Sequence, residues 1–165
     1  MAAPEIVMYE EEFGIIKKIV SKLLVDANAN VVFLVDKNGQ QITAHGDIEN
    51  LDTTSLASLT AGNVAATDGL ARLIGEKEFS ILFHEGEKDN IHISIVAARV
   101  ILVVIFDERS SLGLVRLRVK KAQAELTTVF EGIIEKVERE KANAGAAVES
   151  PFAEITDDDI DALFS

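Results

Sequence analysis

The sequence predicts an α+β domain of three helices and five strands, in the order helix, two strands, helix, three strands, long helix. Apolar residues at helical spacing near both ends of the chain, with shorter apolar runs between them, indicate these elements. Turn signals between the runs are typical of hairpins, and a hydrophobic content of 48% over 165 residues is enough for one core. We expect one domain over residues 8–141, a flexible linker over 142–150 and an acidic tail over 151–165.

The composition argues against several classes of function. With 28 acidic and 16 basic residues, the formal net charge is -12, and such a field repels nucleic acid and anionic lipid. The chain has no cysteine, which excludes thiolate zinc sites and cysteine nucleophiles. Met1 to Phe13 lacks the order of a secretory signal, and Ile91 to Phe106 is shorter than the roughly 18 residues that cross a bilayer. We expect a cytoplasmic protein that binds neither nucleic acid nor membrane.

The first elements are a helix and a hairpin. Apolar residues recur at helical spacing from Met8 to Ala27 with lysines between them, which predicts an amphipathic helix. Val31 to Val35 is a continuous apolar run, typical of a strand that is covered on both faces. The Asn38-Gly39 pair favours a tight hairpin turn, so a second strand from Gln41 to His45 should return antiparallel.

The second helix should begin after Asp52 or Thr53, which can accept hydrogen bonds from free amides of the first turn, and end near Gly75. Large and small apolar residues segregate on its two sides. The large residues are Leu56, Leu59, Leu70, Leu73 and Ile74. The small residues are Ala57, Ala61, Gly62, Ala65, Ala66 and Gly69. We interpret the leucine side as the core side. The small side is equally typical of an external surface shaped for close approach and of tight packing on the protein's own sheet.

Three further strands are expected, at Phe79 to Phe83, Ile91 to Ala97 and Val100 to Phe106. The last is continuously apolar and belongs at the centre of the sheet, beside the first strand. If the short strand Phe79 to Phe83 lies at an edge, it exposes unpaired amides and carbonyls that a second copy can cover. Its alternate residues are the candidate dimer edge, namely Phe79, Ile81 and Phe83.

A third helix should run from Leu112 to about Lys141, because its apolar residues are alternately three and four positions apart. Packing on the domain's own sheet is the favoured explanation, and a coiled coil is the alternative. Residues 143–165 hold six acidic residues and no basic one. They are typical of a solvated tail, yet carry apolar residues that suit docking as a short helix. The candidate docking residues are Phe152, Ile155, Ile160, Leu163 and Phe164.

No catalytic, cofactor-binding or metal-binding constellation is expected. Glycine and lysine are never spaced as in a phosphate-binding loop, so the chain should not bind GTP itself. A metal site between His84 and His92 would require the two side chains to lie opposite each other across a hairpin, and no third ligand is evident. His45 has no nucleophile beside it in the sequence.

Long strings of the sequence resemble the roadblock/LC7 family, in particular its bacterial members that activate Ras-like small GTPases. The resemblance spans nearly the whole chain and is least at the extreme N-terminus and in the linker. The matching stretches are residues 8–13, 31–40, 52–66, 103–107, 111–118, 150–155 and 157–161.

The resemblance implies a profilin-like fold, with a five-stranded antiparallel sheet, helices 1 and 3 on one face and helix 2 on the other. It also implies a homodimer that continues the sheet and activates a Ras-like GTPase of the MglA type in cell polarity and gliding motility, with enrichment at a cell pole. The partner would bind GTP and magnesium, and no arginine finger would be inserted. The paired second helices would form the GTPase platform through the small residues named above, and the tail would dock on the GTPase and modulate nucleotide exchange.

Two alternatives have the same topology. One is a sensor domain that holds a small ligand between sheet and helix, a common use of such folds; a co-purified chromophore would reveal one kind of ligand by its absorbance. The other is a scaffold that docks partners without altering GTP turnover, which a hydrolysis measurement would distinguish from an activator.

Overall fold

The computed structural model describes the backbone of residues 9–147 and the side chains of residues 9–144. Its elements follow the predicted order and confirm the α+β class. The helices are α1 (Glu10–Asp26), α2 (Thr53–Leu73) and α3 (Leu112–Ala147). The strands are β1 (Val31–Asp36), β2 (Gln41–Gly46), β3 (Ile81–Glu85), β4 (Asn90–Val96) and β5 (Val100–Phe106).

The five strands form one antiparallel sheet in the order β2-β1-β5-β4-β3. The two continuously apolar strands are adjacent at the centre, with Phe33 opposite Val103. The first five residues of both strands are buried, because helices cover both faces of the sheet there. The predicted central position of these two strands is confirmed.

The helices divide between the two faces as the resemblance implies. Val32 and Leu34 point toward α1 and α3 and belong to the larger core, whereas Phe33 and Val35 point toward α2 and belong to the smaller one. The α3 stripe packs into the larger core of its own domain, so core packing is confirmed over the coiled coil. Its buried residues are Val115, Val119, Ala122, Leu126, Phe130 and Ile133.

Two polar clusters fix the ends of the α1/α3 layer. At one end, Tyr9 Oη donates a hydrogen bond to Glu140 Oε2 at 2.6 Å, and Lys136 pairs with Glu12. The second cluster joins the loop before β1 to the loop before α3: Asn30 Nδ2 donates to Asp107 Oδ2 at 3.0 Å. Arg109 hydrogen-bonds the same carboxylate through its side chain and its backbone amide and holds the pKa of Asp107 well below its usual range.

Two of the differences from the predicted element boundaries bear on the candidate sites. The edge strand begins at Ile81 instead of Phe79: the ladder with β4 starts at the pair of Ile81 with Ser94, and before it only the hydrogen bond from the Ile95 amide to the Ser80 carbonyl joins the two segments. The third helix continues to Ala147, well into the predicted flexible linker over 142–150. Four of the linker residues that it takes in are alanines, the residue with the highest helix propensity. The remainder of the linker and the whole tail lie outside the described residues.

None of the helices among the described residues is both long and apolar enough to pass through a membrane.

A candidate protein-binding surface on the second helix

The start of α2 is fixed by a cap and by the neighbouring hairpin. Asp52 Oδ1 accepts a hydrogen bond from the amide of Ser55 at 3.1 Å, as predicted for one of the two candidate caps. The hairpin turn between β1 and β2 then packs directly on the helix at Gly39, which has a φ of +91°. A Cβ atom at Gly39 would lie 3.3 Å from Ser58 Cα, so this glycine permits the close approach.

The orientation predicted for α2 is wrong. Ala57 and Ala61 pack on the sheet with exposed fractions of 1% and 9%, together with Thr60, Val64 and Ala71. Small side chains let the helix axis approach the sheet and the Gly39 turn, where leucine side chains would not fit. Ala57 and Ala61 are therefore core residues of the protomer and are removed from the candidate GTPase interface.

The opposite side of α2 is exposed and almost entirely apolar. Four of the nominated small residues do lie there, at Gly62, Ala65, Ala66 and Gly69. They are accompanied by large apolar residues that the sequence pattern assigned to the core, with exposed fractions of 60% to 83%. These are Leu59, Leu70, Leu73 and Ile74. Monomeric proteins rarely expose contiguous apolar surface of this kind, so it marks a candidate interaction site.

One signal in the sequence could have identified the buried side. Val64 is the only large apolar residue in the central turns of α2, between Leu59 and Leu70, and it falls on the side of Ala57 and Ala61. A leucine-inward orientation would have exposed Val64.

The edge strand β3 lies beside this surface, since Asn63 Nδ2 on α2 is 3.4 Å from His84 Nε2 on β3. Ile95 donates its amide hydrogen to the carbonyl of Ser80, and pairs that exchange hydrogen bonds alternate along an antiparallel ladder. By that alternation, the backbone N–H groups of Ile81 and Phe83 point away from β4, toward the free edge. Phe79 precedes the strand, so the candidate dimer edge is reduced to Ile81 and Phe83.

The histidines do not form a shared site. The ladder pairs Phe83 with His92 and His84 with Ile91, so His84 and His92 lie on opposite faces of the sheet. The cross-strand pairing of His84 with His92 that a shared metal site requires is therefore displaced by one residue. Across residues 9–147, no group of three or more histidine, aspartate or glutamate side chains is arranged to hold a metal ion.

The candidate docking residues of the tail, from Phe152 to Phe164, lie outside the described residues, so their assignment stays a prediction. Their connection to the domain is described as far as Ala147, where α3 ends. Every described side chain of α3 from residue 138 to residue 144 is exposed. The helix thus continues past the part of it that covers the sheet.

Comparison with known proteins identifies the class. The model of the Roadblock/LC7 domain matches residues 15–106, more than half of the chain, and this protein belongs to the roadblock/LC7 family. Profilin IA of Acanthamoeba castellanii superposes with a TM-score of 0.51 at 12% identity, covering 67% of this chain and 95% of that chain. That likeness concerns the fold alone and confirms that it is profilin-like.

Two solved bacterial proteins narrow the class. Myxococcus xanthus MglB is 65% identical to this chain, with a TM-score of 0.74, and covers 77% of this chain and 96% of its own. The gliding protein MglB of Thermus thermophilus is 29% identical with the same TM-score and covers 79% of this chain and 99% of its own. The resemblance drawn from the sequence is confirmed. A comparison with curated proteins gave no match.

Proposed function

We propose that this protein acts as a homodimeric activator of a Ras-like small GTPase of the MglA type. The observation that carries the proposal is the exposed apolar side of α2, on a roadblock domain 65% identical to Myxococcus xanthus MglB. The protein itself would have no active site: GTP and magnesium would be bound by the GTPase. Its task would be to hold the GTPase in a conformation that hydrolyses GTP.

Dimerisation would occur at the β3 edge. The outward N–H groups of Ile81 and Phe83 can hydrogen-bond the same strand of a second copy, which would continue the sheet. The side chain of Ile81 is 49% exposed, so a second copy would also bury apolar area. Because α2 lies beside β3, dimerisation would bring two copies of the exposed helix side toward each other.

The GTPase would bind across the paired helices. Gly62, Ala65, Ala66 and Gly69 leave space for a partner's backbone to approach α2, while the exposed leucines supply apolar area that becomes buried in a complex. Of the six small residues of α2 that the sequence nominated for the GTPase interface, these four remain in the proposed interface.

The mechanism would work by rearranging the GTPase switch regions, as the resemblance implies. An inserted arginine normally stabilises the charge that develops during phosphoryl transfer. On α2 of this protein, Arg72 is the best-placed candidate for such a finger, since it is exposed in the last turn of the helix. We assign it no such role, because the family resemblance implies that the GTPase's own residues perform this step.

The acidic tail would dock on the bound GTPase as a short amphipathic helix and modulate nucleotide exchange. Its apolar residues would provide the contact. Replacing Ile160, Leu163 and Phe164 with serine keeps every charge and should weaken GTPase binding in calorimetry. Unchanged affinity would show instead that any tail contact is electrostatic and not made by this apolar face.

Single-turnover GTP hydrolysis by the cognate GTPase, with and without this protein, tests the proposal. Ala65→Arg adds bulk and charge to the exposed side of α2 and should abolish activation while the fold persists. Ala124→Arg is the matched control, since Ala124 is also an exposed helical alanine but lies on α3, across the sheet. It should activate like the unmodified protein.

The outcomes separate the alternatives. If the unmodified protein binds the GTPase without accelerating hydrolysis, it is a scaffold and the activator proposal fails. If Ala65→Arg stays folded and activates normally, the GTPase contacts another surface.

A further inference from the structure

His92 occupies an unusual position for an ionisable side chain. It lies in the middle of β4 on the face covered by α3, with an exposed fraction of 1%. Its cross-strand neighbours are Phe83 on β3 and Val104 on β5. Both ring nitrogens are buried without a hydrogen-bond partner among the described residues, and the same holds for the hydroxyl of Ser94, two positions along the strand on the same face.

The surroundings of His92 oppose a positive charge. Burial lowers the pKa of this imidazole below its ordinary value of 6.5, and the positive charge of Arg116 on α3 lowers the pKa further. The strand neighbours Phe83 and Val104 carry no charge, and on β4 itself Asn90 and Ser94 are uncharged. Among the side chains of residues 9–144, no carboxylate acts on the imidazole to offset the desolvation of its charged form.

His45 provides an internal comparison. It lies on the same face of the sheet, but one of its ring nitrogens is 3.2 Å from Ser21 Oγ and the other is 2.9 Å from Thr43 Oγ1. Its imidazole therefore has a hydroxyl partner at each ring nitrogen, although burial and Lys17 lower its pKa as well, whereas His92 depends on packing alone. His84 is exposed on the other face.

We infer that His92 makes the contact between α3 and the β4 side of the sheet sensitive to pH, with protonation releasing the helix from the strand. A neutral imidazole can remain in an apolar layer at modest cost, but an imidazolium must either recover water or expel α3. A hydrogen bond from Gln123 Nε2 to the carbonyl of Ile95, at 2.6 Å, bridges the same contact and should break when the helix moves.

The direction of the effect follows from proton linkage. Because the folded state binds the His92 proton less readily than the unfolded state, stability is unaffected well above pH 6.5 and falls as the pH drops below that value. For one such group, the unfolding equilibrium constant approaches an increase of about tenfold per pH unit.

The test combines NMR with urea unfolding of the full chain between pH 8 and pH 5. In the unmodified protein, the His92 ring resonances should titrate at a lower pH than the ordinary value of 6.5. The resonances of the Gln123 side-chain amide should shift over the same pH range, as the helix is released. His92→Leu should reduce the pH dependence of the urea midpoint, and the dependence that remains includes the contribution of His45, whose pKa is also lowered by burial and by Lys17. His84→Gln, the exposed control, should leave it unchanged.

Three results would overturn the inference. The first is titration of His92 at or above its ordinary pKa in the folded protein. The second is a urea midpoint that depends on pH equally in the unmodified protein and in His92→Leu. The third is a Gln123 amide that does not respond as His92 titrates. If His92→Leu does not fold, the first and third measurements still decide, since they need only the unmodified chain.

Discussion

Replacing Leu73 with serine should leave the protomer folded but weaken its assembly. Leu73 is the most exposed of the large apolar residues on α2, at 83%, and it is the last residue of the helix, outside the sheet contact. Its side chain should therefore matter only when a second molecule covers it.

The magnitude follows from that exposed fraction. Full burial of a leucine side chain contributes about 1.5–3 kcal/mol, and Leu73 has about a sixth of its surface covered in the protomer. Leu73→Ser should thus lower the free energy of unfolding of an isolated protomer by less than about 1 kcal/mol, including the lower helix propensity of serine. If an assembly buries the rest of the side chain, the dissociation constant should rise by about 8- to 70-fold for each leucine buried.

Sedimentation across a concentration series measures the assembly, and urea unfolding measures the protomer. Leu117→Ser is the exposed control, since Leu117 is 62% exposed on α3, across the sheet from α2; it should change neither measurement by much. Leu126→Ser is the buried control and should cost several kcal/mol. The reasoning is refuted if Leu73→Ser unfolds as readily as Leu126→Ser, or if its self-association and GTPase binding both remain unchanged.

Three further predictions concern single positions. Ile81→Pro removes an N–H group that points to the free edge and should weaken the dimer in size-exclusion chromatography, whereas Leu82→Pro removes a ladder donor to β4 and should destabilise the protomer; equal behaviour of the two would contradict the assigned edge. Ala98 has a φ of +57°, so Ala98→Gly should raise the free energy of unfolding by about 0.5–1 kcal/mol in urea titrations, and a decrease would argue against strain there. Arg72→Ala should reduce activated GTP hydrolysis by less than about tenfold, against the 10³ to 10⁵ of an arginine finger.

Much of the fold could be predicted because single sequence features determine it locally. The continuous apolar runs of β1 and β5 leave no polar side for water, so both faces had to be covered. The apolar stripe of α3 keeps its alternation of three and four residues over several turns. Asp52 lies where its carboxylate can accept a hydrogen bond from an amide in the first turn of α2. In each case the nearby residues decide the structure.

The orientation of α2 could not be predicted in the same way. In the sequence, a leucine-rich helix side that is exposed in the protomer looks the same as one that packs on the core. Hydropathy shows that a surface avoids water but not which molecule covers it. The start of the edge strand and the relative positions of His84 and His92 were predicted wrongly for a related reason. Their register depends on the turns at both ends of β4, and a shift of one residue moves a side chain to the other face.

The hairpin contact at Gly39 has a consequence for the proposed GTPase surface on the other side of the same helix. With Ser58 Cα 3.3 Å from where a Cβ would sit, the hydrogen atom that Gly39 carries in place of a side chain allows α2 to lie this close to the hairpin. Any larger residue there would press against the backbone of α2 at Ser58. It would tilt the platform by displacing the N-terminal half of α2, without altering any residue of the exposed surface itself.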